Sequence, residues 1–522
     1  MSARRAGLLI PLFSCASRAS WGIGDIGDIA PMTAWLAAAG QGVLQLLPIN
    51  EMAPGQQSPY SAISAMAIDP LFIRVPDVAD FAALGGESSL APGDREALAA
   101  ARCAPHVQYP VVRRVKHTAL RAAFDRFADA DASRDNDRMR ALRTFVSEQA
   151  WWVEDYSLFR ALHAREGERP WTEWSIDLQR RDPGAIDRAR RELAREVLFY
   201  QYLQWIAWQQ WQQARRDAHG VELFGDLPFM VDGDSADVWA RQHQFRLDVS
   251  VGAPPDAFSS TGQDWGMPLY NWDVMTAEHF LWLRERARRS ADLFDGYRID
   301  HLVGFYRTYG KPKNGDAPFF TPGNEPAQTA LGERLMDLFR SAGAKIVAED
   351  LGTVPDFVRD SLARLGVPGF RVLRWERRWH DDGQPFRDPS EYPAVSVATS
   401  GTHDTETLVA WWRSASDDDR RKVAGLPTIR RVANGVDLAH ADDSATTRDV
   451  LVEALYASAS NLLLLPVQDV FGWTDRINEP ATIAERNWTF KLPWPVDRLD
   501  EIPEARERRD QLRAWADVHG RR

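Results

Sequence analysis

Three short stretches of this 522-residue chain carry titratable groups in spacings that suit acid–base and nucleophilic chemistry. FDGYRIDH holds Arg298, Asp300 and His301; KIVAEDLG holds Glu349 and Asp350; ATSGTHD holds His403 and Asp404. In a strand, residues two apart face the same way, so Arg298 and Asp300 are expected on one face. A guanidinium beside a carboxylate favours its ionised form, which suits a nucleophile. Glu349 closes an apolar run, where loss of water favours the protonated form and suits a general acid. Two carboxyl groups of opposite tuning are what cleavage of a glycosidic bond requires. Asp404 adds a third negative charge, placed either against a cationic transition state or on sugar hydroxyls. Taken singly, each motif is also compatible with a structural ion pair or a turn. The same Asp, Glu and Asp suit a divalent cation in a metal-dependent barrel enzyme, although an arginine two residues from the first aspartate fits a metal site poorly.

These residues are useful only if strand ends bring them together. Short apolar runs occur at 8–12, 43–49, 223–231, 296–300, 345–348, 370–373, 394–398 and 462–470. Several are continuous rather than alternating, as strands buried on both faces are. Helical patterns lie between some of them, at 29–39 and 330–342, each ending at a glycine (Gly40 and Gly343). Eight strands with interleaved helices predict a (β/α)8 TIM barrel, whose active sites sit at the C-terminal ends of the strands. A barrel needs about 250 residues, so roughly half of the chain is insertion, placed at the C-terminal rim.

The expected organisation is one catalytic barrel. Residues 1–50 give strands 1–2, and 51–219 a mainly helical insertion with helical periodicity in 113–166 and 184–217. Strand 3 falls in 220–231. Residues 232–290 form an insertion holding the Pro/Gly/Ser-rich segment GAPPDAFSSTGQDWG, and 291–522 give strands 4–8 with C-terminal helices.

Composition narrows the function. Net charge is −11, which argues against a dedicated nucleic-acid binder. The two cysteines, Cys15 and Cys103, form neither a zinc motif nor a disulfide framework, and a reducing, cytoplasmic location is expected. No apolar run has the ~18 residues needed to span a membrane. The stretch 7–13 after Arg4 and Arg5 is short for a signal peptide and contains Pro11, so it reads as a first buried strand. Tryptophan is over-used, with 21 copies. Trp205, Trp208 and Trp211, spaced by three, read first as a helix stripe packed into the protein and second as a platform for sugars.

Longer motifs point to one family. WGIGDIGD, SPYSAISAMAIDPLFI, GDLPFMVDGDSADVW, PPDAFSSTGQDWGMPLYNW, YRIDH, VAEDLG, GTHDTET, PVQDV, RINEPAT and a late NW together resemble the 4-α-glucanotransferases called amylomaltase or disproportionating enzyme, glycoside hydrolase family 77 of the α-amylase clan. The resemblance runs nearly end to end. It implies that Asp300 is the nucleophile of a covalent glycosyl-enzyme, Glu349 the acid/base and Asp404 the transition-state stabiliser. It implies that Arg298 and His403 fix the nucleophile and bind sugar hydroxyls, with His301 beside them. Asp226 in GDLP, Tyr60 in SPY and Asn478 are implied as further substrate contacts. Phe258, Gln263 and Trp265 are implied in a loop over the acceptor sites. The implied donors and acceptors are maltooligosaccharides and α-1,4-glucans, with no cofactor or metal, no nucleic acid and no membrane. A hydrolase of the same clan would use the same three carboxyls. Leu44, Ala257, Met267, Thr405-Glu406 and Ala481 depart from the family pattern, and none of them removes an expected catalytic group.

Overall fold

The computed structural model describes residues 4–131, 137–255, 262–439, 445–480, 482 and 484–522. Among these described residues, twelve strands are numbered in chain order. They are β1 (Arg5–Leu9), β2 (Val43–Gln45), β3 (Glu222–Leu227), β4 (Phe245–Ala253), β5 (Gln263–Tyr270), β6 (Gly296–Ile299), β7 (Thr308–Pro312), β8 (Phe319–Thr321), β9 (Lys345–Ala348), β10 (Gly369–Val372), β11 (Ser396–Thr399) and β12 (Leu462–Pro466). β1, β2, β3, β6, β9, β10, β11 and β12 close into a parallel barrel. The eight apolar runs therefore mark the eight barrel strands. Several overshoot them. The strands stop at Gln45, Leu227 and Pro466, short of residues 49, 231 and 470. At two of the three stops proline supplies the reason, since Pro228 follows β3 directly and Pro466 closes β12, and proline lacks the N–H that a ladder needs. The apolar residues beyond the stops are buried in loops instead, as Leu46, Leu47 and Val231 are.

The barrel interior holds its own apolar cluster of Val43, Phe224, Val347, Phe370, Val372, Val397 and Leu464. Side chains alternate along a strand, so the parity that turns Val43, Phe224 and Val347 inward also turns Gln45, Asp226 and Glu349 toward the axis, one layer higher. Arg298 pairs in register with Asp226, and Gly296 with Phe224. A Cβ at Gly296 would lie 2.6 Å from the Phe224 ring, so a glycine is required there for the interior layer to close.

Helix Ile29–Ala38 follows β1 and helix Glu325–Ser341 precedes β9. The segment leaving β2 contains helices Tyr109–Asp131, Ala150–Arg165, Pro183–Glu192 and Ala194–Arg216. Trp205 and Trp211 are buried in the last of these, where the Trp211 indole donates to the Leu293 carbonyl at 2.7 Å, so the tryptophan stripe is packing. β4, β5, β7 and β8 build a separate antiparallel sheet in the order β5-β4-β7-β8. Two of its strands come from 245–270 and two from 308–321, on either side of barrel strand β6. Nothing in the hydrophobic pattern announced this sheet. Phe245–Ala253 does not alternate cleanly, because its register against β5 shifts at Ser250. Among the described residues, no helix is long and apolar enough to cross a membrane. Cys15 is buried and Cys103 exposed, both as free thiols.

The loop between β2 and the helical segment is held by a buried charge network. Glu51 accepts from Arg160 Nε at 3.0 Å and from the Tyr156 hydroxyl, both on helix Ala150–Arg165. Burial pushes the Glu51 carboxyl up, and Arg160 opposes this. Glu168 then links Arg160 to His163, whose other ring nitrogen meets Asp234 at 3.1 Å in the loop after β3. Breaking one partner of a buried pair strands the other charge. Arg160→Met is therefore expected to destabilise the protein by about 3–5 kcal/mol, seen as a lowered thermal denaturation midpoint.

Candidate active site

The site lies where β3, β6, β9 and β11 end. Arg298 is its centre. Nη1 bonds Asp226 Oδ2 at 2.8 Å and Oδ1 at 3.0 Å; Nη2 meets Asp300 Oδ1 at 2.7 Å and Glu349 Oε2 at 4.0 Å. One guanidinium thus serves three carboxyls from three neighbouring strands. The Asp300 and Glu349 oxygens, sharing one nitrogen, are no further apart than the sum of their two distances to it.

Depth differs between these groups. The Asp226 side chain is 0% exposed and Arg298 6%, whereas Asp300 is 29% and Asp404 42% exposed. The deep pair is therefore scaffold, and the outer carboxyls are open to a ligand. Burial raises the Asp226 carboxyl to about 6, with Arg298 opposing and Asp300 adding to the rise. Burial raises Glu349 to about 7; Arg298 lowers it, Asp300 raises it, and two backbone N–H groups partly offset the shift. Those donors are Leu351 at 3.0 Å and His301 at 2.8 Å. The expectation that Glu349 ends an apolar strand with a raised pKa is met. His301 has φ +43°, in the left-handed region, and its N–H is one of the two donors to Glu349. Burial lowers the His301 imidazole to about 4, so the ring is neutral at pH 7.

Asp350, next to Glu349, faces the other way. Its carboxylate accepts from the Phe370 N–H at 2.7 Å and pairs with Arg371, tying β9 to β10 outside the site. Period-two alternation separates the two adjacent acids.

Asp404 sits on the loop after β11. Burial alone would raise it, but His403, 3.3 Å away, and Asn478, whose Nδ2 donates at 2.7 Å, hold it well below the usual carboxylate range. The His403 imidazole is raised, with Asp404 outweighing its burial. The Asn478 N–H donates to the His403 carbonyl at 3.1 Å. Tyr60 joins the two halves. Its hydroxyl donates to Asp226 at 2.8 Å and its ring stacks on His403 at 5.4 Å. Trp265, on β5, places its ring edge-to-face with His301 at 4.8 Å, and its indole donates to Gln263 at 3.0 Å. Phe258 lies outside the described residues. The remaining sequence candidates therefore meet at one rim.

Three further residues belong to this assembly and carried no role in the sequence reading. Asp469 accepts from Ser400 Oγ at 2.5 Å and from the Leu408 N–H at 2.7 Å, clamping both ends of the His403-Asp404 loop. An acid just past a Leu-rich strand was a usable signal. Arg476 donates to the Asp404 carbonyl at 2.9 Å. Trp488 lies beside both Tyr60 and His403.

A closed parallel barrel with this guanidinium-centred carboxyl cluster at its C-terminal rim defines a TIM-barrel enzyme. Residues 10–497 match the family model described as 4-alpha-glucanotransferase. The chain is 31% identical over 504 residues to the 4-alpha-glucanotransferase of Chlamydia pneumoniae, covering 94% of this chain and 92% of that protein. It is 33% identical over 513 residues to that of Thermus thermophilus, covering 94% and 96%. Its fold matches the solved amylomaltase from Streptococcus agalactiae in complex with acarbose with a TM-score of 0.82, at 24% identity and 99% coverage of both chains. The chain belongs to the 4-alpha-glucanotransferase family.

Arg298→Met would leave Asp226, Asp300 and Glu349 without their shared cation. Acidification relieves this by protonating the carboxyls whose folded pKa is raised, and raising the pH restores the repulsion. The variant's deficit in thermal midpoint relative to the wild type is expected to be larger at pH 8 than at pH 5. An equal deficit at both would mean that Arg298 acts by packing alone.

Proposed function

We propose that the protein transfers a segment of an α-1,4-glucan to the 4-hydroxyl of an acceptor glucan or glucose by retaining double displacement. The observation that carries this reading is the sharing of Arg298 Nη2 by Asp300 and Glu349. The shared nitrogen limits how far those two oxygens can stand apart, a limit that admits the roughly 5–5.5 Å of a retaining pair and leaves out most of the wider range used by inverting pairs.

In the first step the Asp300 carboxylate attacks the anomeric carbon. The protonated Glu349 gives its proton to the departing glycosidic oxygen, and an ester to Asp300 forms. Esterification removes the negative charge that helps to hold Glu349 protonated. Glu349, now a carboxylate, is thereby better suited to take the proton of the incoming 4-hydroxyl as that oxygen displaces Asp300. Asp404, kept ionised by His403 and Asn478, faces the positive charge that develops on the sugar. Asp226 and Arg298 orient Asp300, and Tyr60, Gln263, Trp265, His301, His403 and Asn478 line the surrounding sugar contacts. Phe258 is proposed with them on sequence resemblance alone. The chemistry asks for no metal or cofactor, and the cation central to the cluster is already a guanidinium. A cytoplasmic location is part of the proposal and rests on the unpaired thiols.

The experiment is incubation of the purified protein with maltotriose and EDTA, with products separated by size. Glucose together with a ladder of longer oligosaccharides is expected. Glucose and maltose alone would make the protein a hydrolase, and silence that ends when a metal is added would overturn the mechanism. Asp300→Asn is expected to fold normally and to lose several orders of magnitude in turnover. The pH profile has a definite sign. Because the protonated form of Glu349 acts first, kcat/KM is expected to fall as the pH rises through about 7. A profile flat to pH 9 would remove Glu349 from that role.

A further inference from the structure

Trp488, beside the site, has a left-handed backbone. Its φ is +65°, a conformation that glycine adopts freely and that tryptophan avoids. Its backbone is over-determined. The Trp488 N–H donates to the Ile477 carbonyl at 2.7 Å, directly before Asn478. Its carbonyl accepts from the hydroxyl of Tyr109 at 2.9 Å, at the start of helix Tyr109–Asp131. The next residues continue the tether: the Val107 N–H donates to the Thr489 carbonyl at 2.9 Å, and His106 bridges to Phe490. A glycine at 488 could keep its backbone bonds without the strain. A tryptophan held there implies that its ring has a task.

The ring lies 5.8 Å from Tyr60 and 5.7 Å from His403, tilted by 51° and 42°, while those two rings stack on each other. Tyr60 leads to Asp226 and Arg298, and His403 leads to Asp404. The indole therefore backs both halves of the carboxyl cluster through Tyr60 and His403.

We infer that Trp488 is a positioning residue for glucan transfer, whose indole fixes Tyr60 and His403 and through them the arrangement of Asp300 and Asp404. The inference rests on the functional reading above. It also assigns a task to the helical segment after β2, which supplies Tyr109 to hold the strained backbone in place.

The test measures kcat and KM for maltotriose disproportionation, with thermal midpoints, in Trp488→Gly, Trp488→Phe and Trp488→Leu. Trp488→Gly relieves the backbone strain and deletes the ring. It is expected to melt no lower than the wild type by more than a few degrees, yet to lose roughly 10- to 100-fold in kcat with little change in KM, as misplacement by about 1 Å does. Trp488→Phe is expected to recover most of the lost kcat, and Trp488→Leu is not. Near-normal kcat in Trp488→Gly would reduce the residue to a turn, and a rise in KM alone would make it a sugar platform; either overturns the inference. Should Trp488→Gly fail to fold, equal kcat in the Phe and Leu variants would do the same. A wild type without action on α-1,4-glucans overturns the functional reading and this inference together. An active wild type with an active Trp488→Gly overturns the inference alone.

Discussion

The guanidinium of Arg298 is the constraint around which the rim is built. Three carboxyls at the ends of adjacent parallel strands would repel one another in a partly dry site. A single planar cation, using two different nitrogens, lets Asp226 and Asp300 sit as ion pairs while Glu349 stays just beyond contact. A lysine could not divide itself in this way, since it presents one point charge rather than a fork. The arrangement needs Arg298 to be stiff. It is held by Nη1, which meets both oxygens of Asp226 and the Tyr60 hydroxyl, and by burial within the barrel.

The carboxyls then differ by position rather than by type. Asp226 is sealed and serves as an anchor. Glu349 has lost enough water to keep its proton near neutrality, yet two backbone N–H groups fix its orientation. Asp404 stands at the open edge, where a histidine and an amide keep it charged. One motif-level pattern, an acid at a strand end, thus yields three electrostatic characters. The His301 N–H, at a left-handed backbone position just past β6, belongs to the same set of contacts.

The inserted segments act as buttresses to this rim. Helix Ala150–Arg165 pins the loop that carries Tyr60 through Glu51, and Tyr109 holds Trp488 from behind. The antiparallel sheet delivers Trp265 over His301 from another side. Loops leaving the C-terminal ends of barrel strands have no partners of their own for their backbone groups, and here the insertions supply them.

The barrel was legible in the amino-acid sequence because its strands are buried on both faces, and that burial writes continuous apolar runs that end in acids. Arg298, Asp300 and Glu349 could be named for the same reason, since each lies within or just past such a run and the spacing of two put Arg298 and Asp300 on one side; Asp404 stood further on, in the loop after β11. The antiparallel sheet was hidden, since β4 is interrupted by a register shift and pairs with strands on both sides of β6. Local pattern singled out Glu349 at the end of an apolar run, but the task of Asp350, turned outward to tie β9 to β10, came only with the folded strand. Local pattern could not find Tyr109 or Trp488, whose partners lie 379 and 428 positions away in contacts with Trp488 and with Tyr60. The sequence by itself determined which groups carry charge and which segments must be buried, because these depend on residue type and period. Only the tertiary structure decided which carboxyl keeps its proton and which ring supports it, because desolvation and contact are properties of neighbours that the chain brings from afar.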